Sequence, residues 1–312
     1  MPTIHTGDLA WNVLHFYQVP QGLSRFFGDA QPEIVTKWPT MILPALLMLL
    51  PVAGQPILIQ VDTVPQNEIE RRLNAFEDSD AKREKKLLDL FQESGCVDDL
   101  TEQPVKYAKA PNIVCTLPGE ANAVILVGGH FDFVKEGKGV VDNWSGCSLL
   151  PSLYWSLRAS PRRHTFIFVG FTDEEKGLVG SQSYVGKMSK EEIQKISAMV
   201  NLDSLGTSPT KVEVDRGAKN LLNALGIVAT NLKLPLSVVN VHPVGRSDSD
   251  SFQDRKVPTI GIHSLTNETF RILHSRRDQI GAIHLNDYYD TYLLIRAYLA
   301  YLDQILDRPA PQ

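Results

Sequence analysis

HTFIFVGFT, residues 164–172, is a continuous apolar run that empties into the acidic turn DEEKG at 173–177. A run of this kind, without polar alternation, reads as a strand buried on both faces, as in a parallel sheet covered by helices. Working outward, NIVCTLPG (112–119) and AVILVGG (123–129) are β-rich and end in glycine, while SLLPSLYWSLRAS (148–160) has helical character. AMVNLD (198–203), KVEVD (211–215) and VPTIGIHS (257–264) read as further strands, separated by the helical stretch AKNLLNALGIVATNL (218–232). DYYDTYLLIRAYLAYLDQIL (287–306) closes the chain as a long helix, and NEIERRLNAF with DAKREKKLLDLFQESG (67–76 and 80–95) reads as two solvent-facing helices. Alternation of this type predicts one three-layer α/β domain with a mostly parallel mixed sheet and helices on both faces.

Open α/β sheets collect ligands outside the carboxyl ends of their strands. His130 follows AVILVGG, Glu174 and Glu175 follow HTFIFVGFTD, and Asp203 ends AMVNLD. Three independent strands thus deliver metal-type side chains to the same edge. In GGHFD (128–132) the glycines let the backbone pass closely, and Asp132 is placed to accept the second imidazole N–H of His130 and fix its tautomer. Asp142 sits in VVDNWSG (140–146), where Asn143 or Ser145 can cap the following helix and leave Asp142 free to bridge two cations about 3.5–4 Å apart. Adjacent Glu174 and Glu175 point in different directions, so one can ligate while the other handles protons. Asp203 ends an apolar strand, where a carboxylate needs a partner, and a cation is the simplest one. For the last ligand His274 in ILHSRRD is favoured over His284 in AIHLND, because His284 leads into the final helix whereas Asp278 stands four residues after His274 and can orient it.

Two imidazoles and three carboxylates suit two divalent ions sharing one bridge. The small surplus of positive charge should acidify a bridging water near neutral pH. Nitrogen and carboxylate donors without thiolate fit zinc, with cobalt or manganese as substitutes.

The whole chain, 312 residues with 43% hydrophobic and 21% charged content, is that of a globular protein able to bury a core. Its net charge of -5 and lack of a Lys/Arg run argue against a nucleic-acid partner. Cys96, Cys115 and Cys147 form no C-x-x-C pair; Cys96 and Cys115 could bridge in an oxidising compartment, and buried free thiols are the other reading. MILPALLMLLPVA (41–53) is apolar, interrupted by prolines, and shorter than the roughly 20 residues that span a bilayer. It reads as a signal-like segment over 41–55 within an N-terminal extension 1–60, with the catalytic domain at 61–312; Met41 would then be the initiator. The competing reading makes it a buried strand or helix. The first implies a secreted or periplasmic protein, and neither implies an integral membrane span.

With these residues on view, the chain strongly resembles the zinc aminopeptidases of metallopeptidase family twenty-eight, from about residue 66 to 306. The resemblance implies a zinc exopeptidase fold and two zinc ions. His130 and Asp203 would hold one ion and Glu175 and His274 the other, with Asp142 bridging, Glu174 as general base and Asp132 orienting His130. It implies removal of amino-terminal residues from peptides or small proteins. Where the family often carries S-D-H, this chain has Ser249 in GRSDSDSF (245–252), which puts substrate contacts in doubt and leaves the metal set intact. Glutaminyl cyclases share the fold but typically work with one zinc, and a non-catalytic binding ectodomain predicts missing ligands. A carboxypeptidase would need a cation for the terminal carboxylate of its substrate, and Arg246 is a candidate.

Overall fold

The strands named above assemble into one eight-stranded sheet, in a computed structural model that describes residues 13–16, 57–239 and 245–306. In chain order the strands are β1 (Val13–Phe16), β2 (Ile57–Gln60), β3 (Leu100–Gln103), β4 (Asn112–Leu117), β5 (Val124–His130), β6 (Thr165–Phe171), β7 (Ile196–Leu202), β8 (Lys211–Glu213), β9 (Ser237–Val239) and β10 (Thr259–His263). The helices are α1 (Gln66–Leu73), α2 (Asp80–Glu93), α3 (Ser145–Cys147), α4 (Leu150–Leu157), α5 (Val179–Gly186), α6 (Lys190–Gln194), α7 (Lys219–Leu232), α8 (Asp248–Gln253) and α9 (Leu285–Ile305). The apolar run 41–53 lies outside the described residues. Among those residues no helix is long and apolar enough to cross a membrane.

The main sheet runs in the order β3-β4-β6-β5-β7-β10-β8-β9, and β1 pairs with β2 separately. β5 lies parallel to β6 and β7, β10 parallel to β7, and β9 parallel to β8, whereas β3–β4, β4–β6 and β8–β10 are antiparallel. The parallel centre is where the apolar runs are continuous. In β6, Phe166 and Phe168 join the core beneath α1, α2, α4, α7 and α9, while Val169 and Phe171 join a second core beneath α5, α6 and α8. Both faces are covered, and each fully buried phenylalanine contributes about 2 kcal/mol of apolar burial.

Helices α1 and α2 are less exposed than their charges suggest. Ile69 and Leu73, and then Leu87, Leu90 and Phe91, face the core. Arg83 is wholly buried, its guanidinium donating to the carbonyls of Glu77 (3.0 Å), Phe131 (3.2 Å), Gly139 (3.0 Å) and Lys138, and lying 4.1 Å from the Phe133 ring centroid. Burial pulls its pKa down to about 10. The cost of burying this cation is offset by these four acceptors. The Gly139 carbonyl also accepts the Trp144 amide at 3.1 Å, so Arg83→Met orphans the other three and is expected to lose at least about 3 kcal/mol, at about 1–3 kcal/mol per orphaned acceptor. The urea midpoint measures this; a loss below about 1 kcal/mol would mean that water serves the same carbonyls.

Cys96 and Cys115 form a disulfide between the end of α2 and β4, and Cys147 is a buried thiol whose pKa burial pushes up to about 12.

Candidate metal centre

Three ligand-type groups sit where β5, β6 and β7 end. His130 is the last residue of β5; Glu174 and Glu175 stand in the turn after β6; Asp203 follows β7, its amide bonded to the Ile262 carbonyl at 3.0 Å. The turns are tight. Asp173, Ser204 and His274 all have positive φ (52°, 57° and 53°), a conformation that costs non-glycine residues energy and clusters at functional sites. Asn143 stitches the Asp142 turn to β7: its Nδ2 donates to the Leu202 carbonyl at 2.8 Å, and its Oδ1 accepts the amides of Gly146 (3.0 Å) and Ser204 (3.1 Å). The Asn143 side chain thus serves the backbone here, and that of Asp142 is left to face the imidazoles. The peptide between them is cis.

The geometry divides into two triplets. His130, Glu174 and Asp203 form one and Asp142, Glu175 and His274 the other, the ligand atoms of each within 4.8 Å of one another. Asp142 links them: its Oδ1 is 3.2 Å from His130 Nε2, and its Oδ2 is 3.2 Å from His274 Nε2. His130 Nε2 also lies 3.9 Å from Asp203 Oδ1, and His274 Nε2 lies 3.0 Å from Glu175 Oε2. All six side chains named from the sequence are thus brought together, with Glu174 within ligand distance of His130 and Asp203.

Of the two expected orienting residues, Asp132 stands at His130, whereas Asp278 is taken up by another loop. His130 Nδ1 faces the backbone carbonyl of Asp132 at 3.2 Å and its carboxylate only at 3.5 Å. The Asp132 carboxylate accepts the amides of Glu174 (3.0 Å) and Glu175 (3.2 Å), which fixes the turn that carries both glutamates. Asp278, expected to orient His274, instead accepts the amides of Val141 (2.7 Å) and Asp142 (3.2 Å). A carboxylate close in sequence to His274 has reached a loop more than a hundred positions away because that loop offers two free N–H groups. His284 sits at the N-cap position of α9, its Nδ1 3.3 Å from Asp287, outside the cluster.

Electrostatically the cluster is short of positive charge. Burial, with Asp248, Asp203 and Asp142 nearby, raises the Glu174 carboxyl to about 9, and burial with Asp142 raises Glu175 to about 7. Burial raises Asp203 to about 6. Burial also acts on Asp142, but hydrogen bonds from His130 and His274 outweigh it and hold its carboxyl well below the usual range. The bond to Asp142 raises His274 to about 9. Oxygen and imidazole donors crowded at the floor of a cleft, with carboxyls driven toward protonation for want of countercharge, fit divalent cations.

A cleft of about 850 Å³ opens over this cluster. Lys211, Glu213, Arg216 and His263 line it, none of them singled out in the sequence. Only the pairing of β8 with β10 across some fifty residues brings them in. Arg246 also lines the cleft, paired with Asp254 at 3.0 Å. Ser249 is buried, with its hydroxyl 2.8 Å from that of Ser247, so the departure from S-D-H falls behind the lining.

A sequence model of peptidase family M28 matches residues 112–299. An aminopeptidase of Pseudomonas aeruginosa is 37% identical over 103 residues, covering 33% of this chain and 19% of its own length. The chain spans about a fifth to a third of the length of the curated relatives it matches. Among solved structures, the Legionella pneumophila LapA aminopeptidase shares the fold with a TM-score of 0.68 at 20% identity, over 78% of this chain and 73% of its own. A zinc aminopeptidase from Bacillus subtilis does so with a TM-score of 0.56 at 24% identity, over 61% of this chain and 49% of its own.

Proposed function

Because the chain belongs to peptidase family M28, we propose that it is a two-zinc exopeptidase that releases residues from the free amino termini of peptides. The observation that carries this reading is the Asp142 carboxylate, which turns one oxygen to His130 and the other to His274. His130 and Asp203 would hold one ion, Glu175 and His274 the other, with Asp142 shared. When bound, the ions would supply Lewis acidity toward the scissile carbonyl and lower the pKa of a water.

The chain's own residues divide the remaining work. Glu174 accepts a proton from the attacking water and returns it to the departing amine. Asp132 holds the backbone of Glu174 and Glu175, keeping the base beside the ligands. Asp278 fixes the Asp142 loop through two amides. Export to an oxidising compartment belongs to the same proposal and is supported by the Cys96–Cys115 disulfide.

Metal analysis of the purified chain is expected to find two zinc equivalents. Chelation should abolish release of aminoacyl chromophores and lower Tm by several degrees, about the effect of losing a ligand that binds only the folded state; added zinc should restore both. Acetylating the substrate's amino terminus should stop turnover. Full activity in metal-free protein would overturn the metal assignment, and turnover of acetylated peptides would overturn the choice of end.

A further inference from the structure

Antiparallel pairing of β8 with β10 sets His263 opposite Lys211 and therefore Glu213 opposite Gly261. Side chains two apart on a strand share a face, so Glu213 and His263 stand as neighbours on the face that lines the cleft. Gly261 leaves the room: a Cβ there would lie 2.8 Å from the Glu213 carboxyl carbon.

Both end groups are open. Glu213 Oε2 is buried without a hydrogen-bond partner among the described residues, and so is His263 Nε2. His263 is 5% exposed, and its Nδ1 accepts the Leu265 amide at 3.0 Å, which places the ring hydrogen of the neutral imidazole on Nε2. Burial, aided by Lys211, lowers the pKa of this ring to about 4, in keeping with the neutral form. The cations of the cleft are engaged elsewhere: Lys211 Nζ with Ser208 Oγ (3.0 Å) and the Pro209 carbonyl (3.3 Å), Arg216 with Asp250 (3.0 Å), and Arg246 with Asp254.

One acceptor and one donor, side by side and unpaired in a buried cleft wall, call for a ligand group that offers a donor and an acceptor side by side. We propose that Glu213 and His263 form a subsite for a side-chain carboxamide, so that the exopeptidase selects peptides beginning with glutamine or asparagine. The amide N–H₂ donates to Glu213 and the amide oxygen accepts from His263 Nε2–H. An apolar side chain leaves both groups unpaired, and a lysine or arginine side chain, having donors only, leaves the imidazole N–H facing a cation. This specificity rests on the exopeptidase reading above.

The test compares kcat/KM for glutaminyl, asparaginyl, leucyl, lysyl and arginyl 4-nitroanilides on the zinc-loaded full chain. Wild type should favour glutaminyl over leucyl at least about 10-fold, the effect of about one buried hydrogen bond. Glu213→Leu and His263→Phe should each erase that preference, lowering glutaminyl kcat/KM and raising leucyl kcat/KM, because an apolar side chain then leaves one polar group fewer unpaired. Gly261→Ala, which displaces the carboxyl without removing it, should lower glutaminyl turnover in the same direction and serves if either first variant fails to fold. Leucyl or arginyl preference in wild type, or an equal fall on every substrate in the variants, would overturn the subsite. Loss of ammonia from a glutaminyl peptide, seen by mass spectrometry, with no release of glutamine would overturn the exopeptidase reading on which the specificity rests. If no anilide is cleaved, that reading fails too; calorimetric binding of L-glutamine amide against L-leucine amide then judges the subsite alone, equal affinities overturning it.

Discussion

Glu174→Gln is expected to lower kcat by about 10³-fold while zinc content and fold stay unchanged. The substitution keeps size and shape, and the backbone amide at 174 still reaches Asp132 Oδ1 at 3.0 Å, so the turn is preserved. What disappears is the ability to take a proton from water and pass it on. General acid–base groups contribute about 10²–10⁴-fold, so the middle of that range corresponds to about 4 kcal/mol of barrier. The variant also separates two roles that the geometry alone leaves together, since Glu174 lies within ligand distance of His130 and Asp203. Loss of turnover with both zinc ions retained identifies a base, whereas loss of zinc with turnover identifies a ligand. Undiminished turnover would remove Glu174 from the chemistry altogether.

Asp142→Ala should strike harder at metal binding than any other single change. Among the described residues no other carboxylate faces both imidazoles, at 3.2 Å on each side. Its removal takes a donor from both ions and leaves His130 and His274 with nothing between them. Because losing even an outer partner of a ligand costs about 10–100-fold in metal affinity, loss of the shared ligand should exceed about 100-fold. Zinc titration with a competing chelator reads this directly, and activity at micromolar zinc should fall below detection. Retention of two tightly held ions would mean that the bridge is not made by Asp142.

Much of this centre could be read from the linear chain because the parallel strands are buried on both faces. Continuous apolar runs such as HTFIFVGFT mark where strands end, and a carboxylate or imidazole just past such an end has little reason to be there unless something binds it. His130, Glu174, Glu175 and Asp203 are legible for that reason. Partners chosen by tertiary packing are not. Asp278 lies near His274 in sequence yet bonds the amides at 141 and 142, and Arg83 hides in a helix whose many charges give it a solvent-facing appearance. Glu213 and His263 belong to a short antiparallel pair whose register no local pattern announces. The single turn of α3 and the short edge strands β3 and β9 likewise form because neighbours complete them.

The two bonds from the Asp132 carboxylate to the amides of Glu174 and Glu175 also bear on how such an enzyme can evolve. One side chain sets the position of a metal ligand and of the group beside it, so a mutation there is inherited as a compound defect that no single later change repairs. The floor of the cleft is thereby closed to gradual drift. The wall made by β8 and β10 meets the metal residues through the backbone, the Asp203 amide on the Ile262 carbonyl at 3.0 Å, a bond that side-chain replacement leaves in place; diversification of substrate choice has its open route there, one residue at a time.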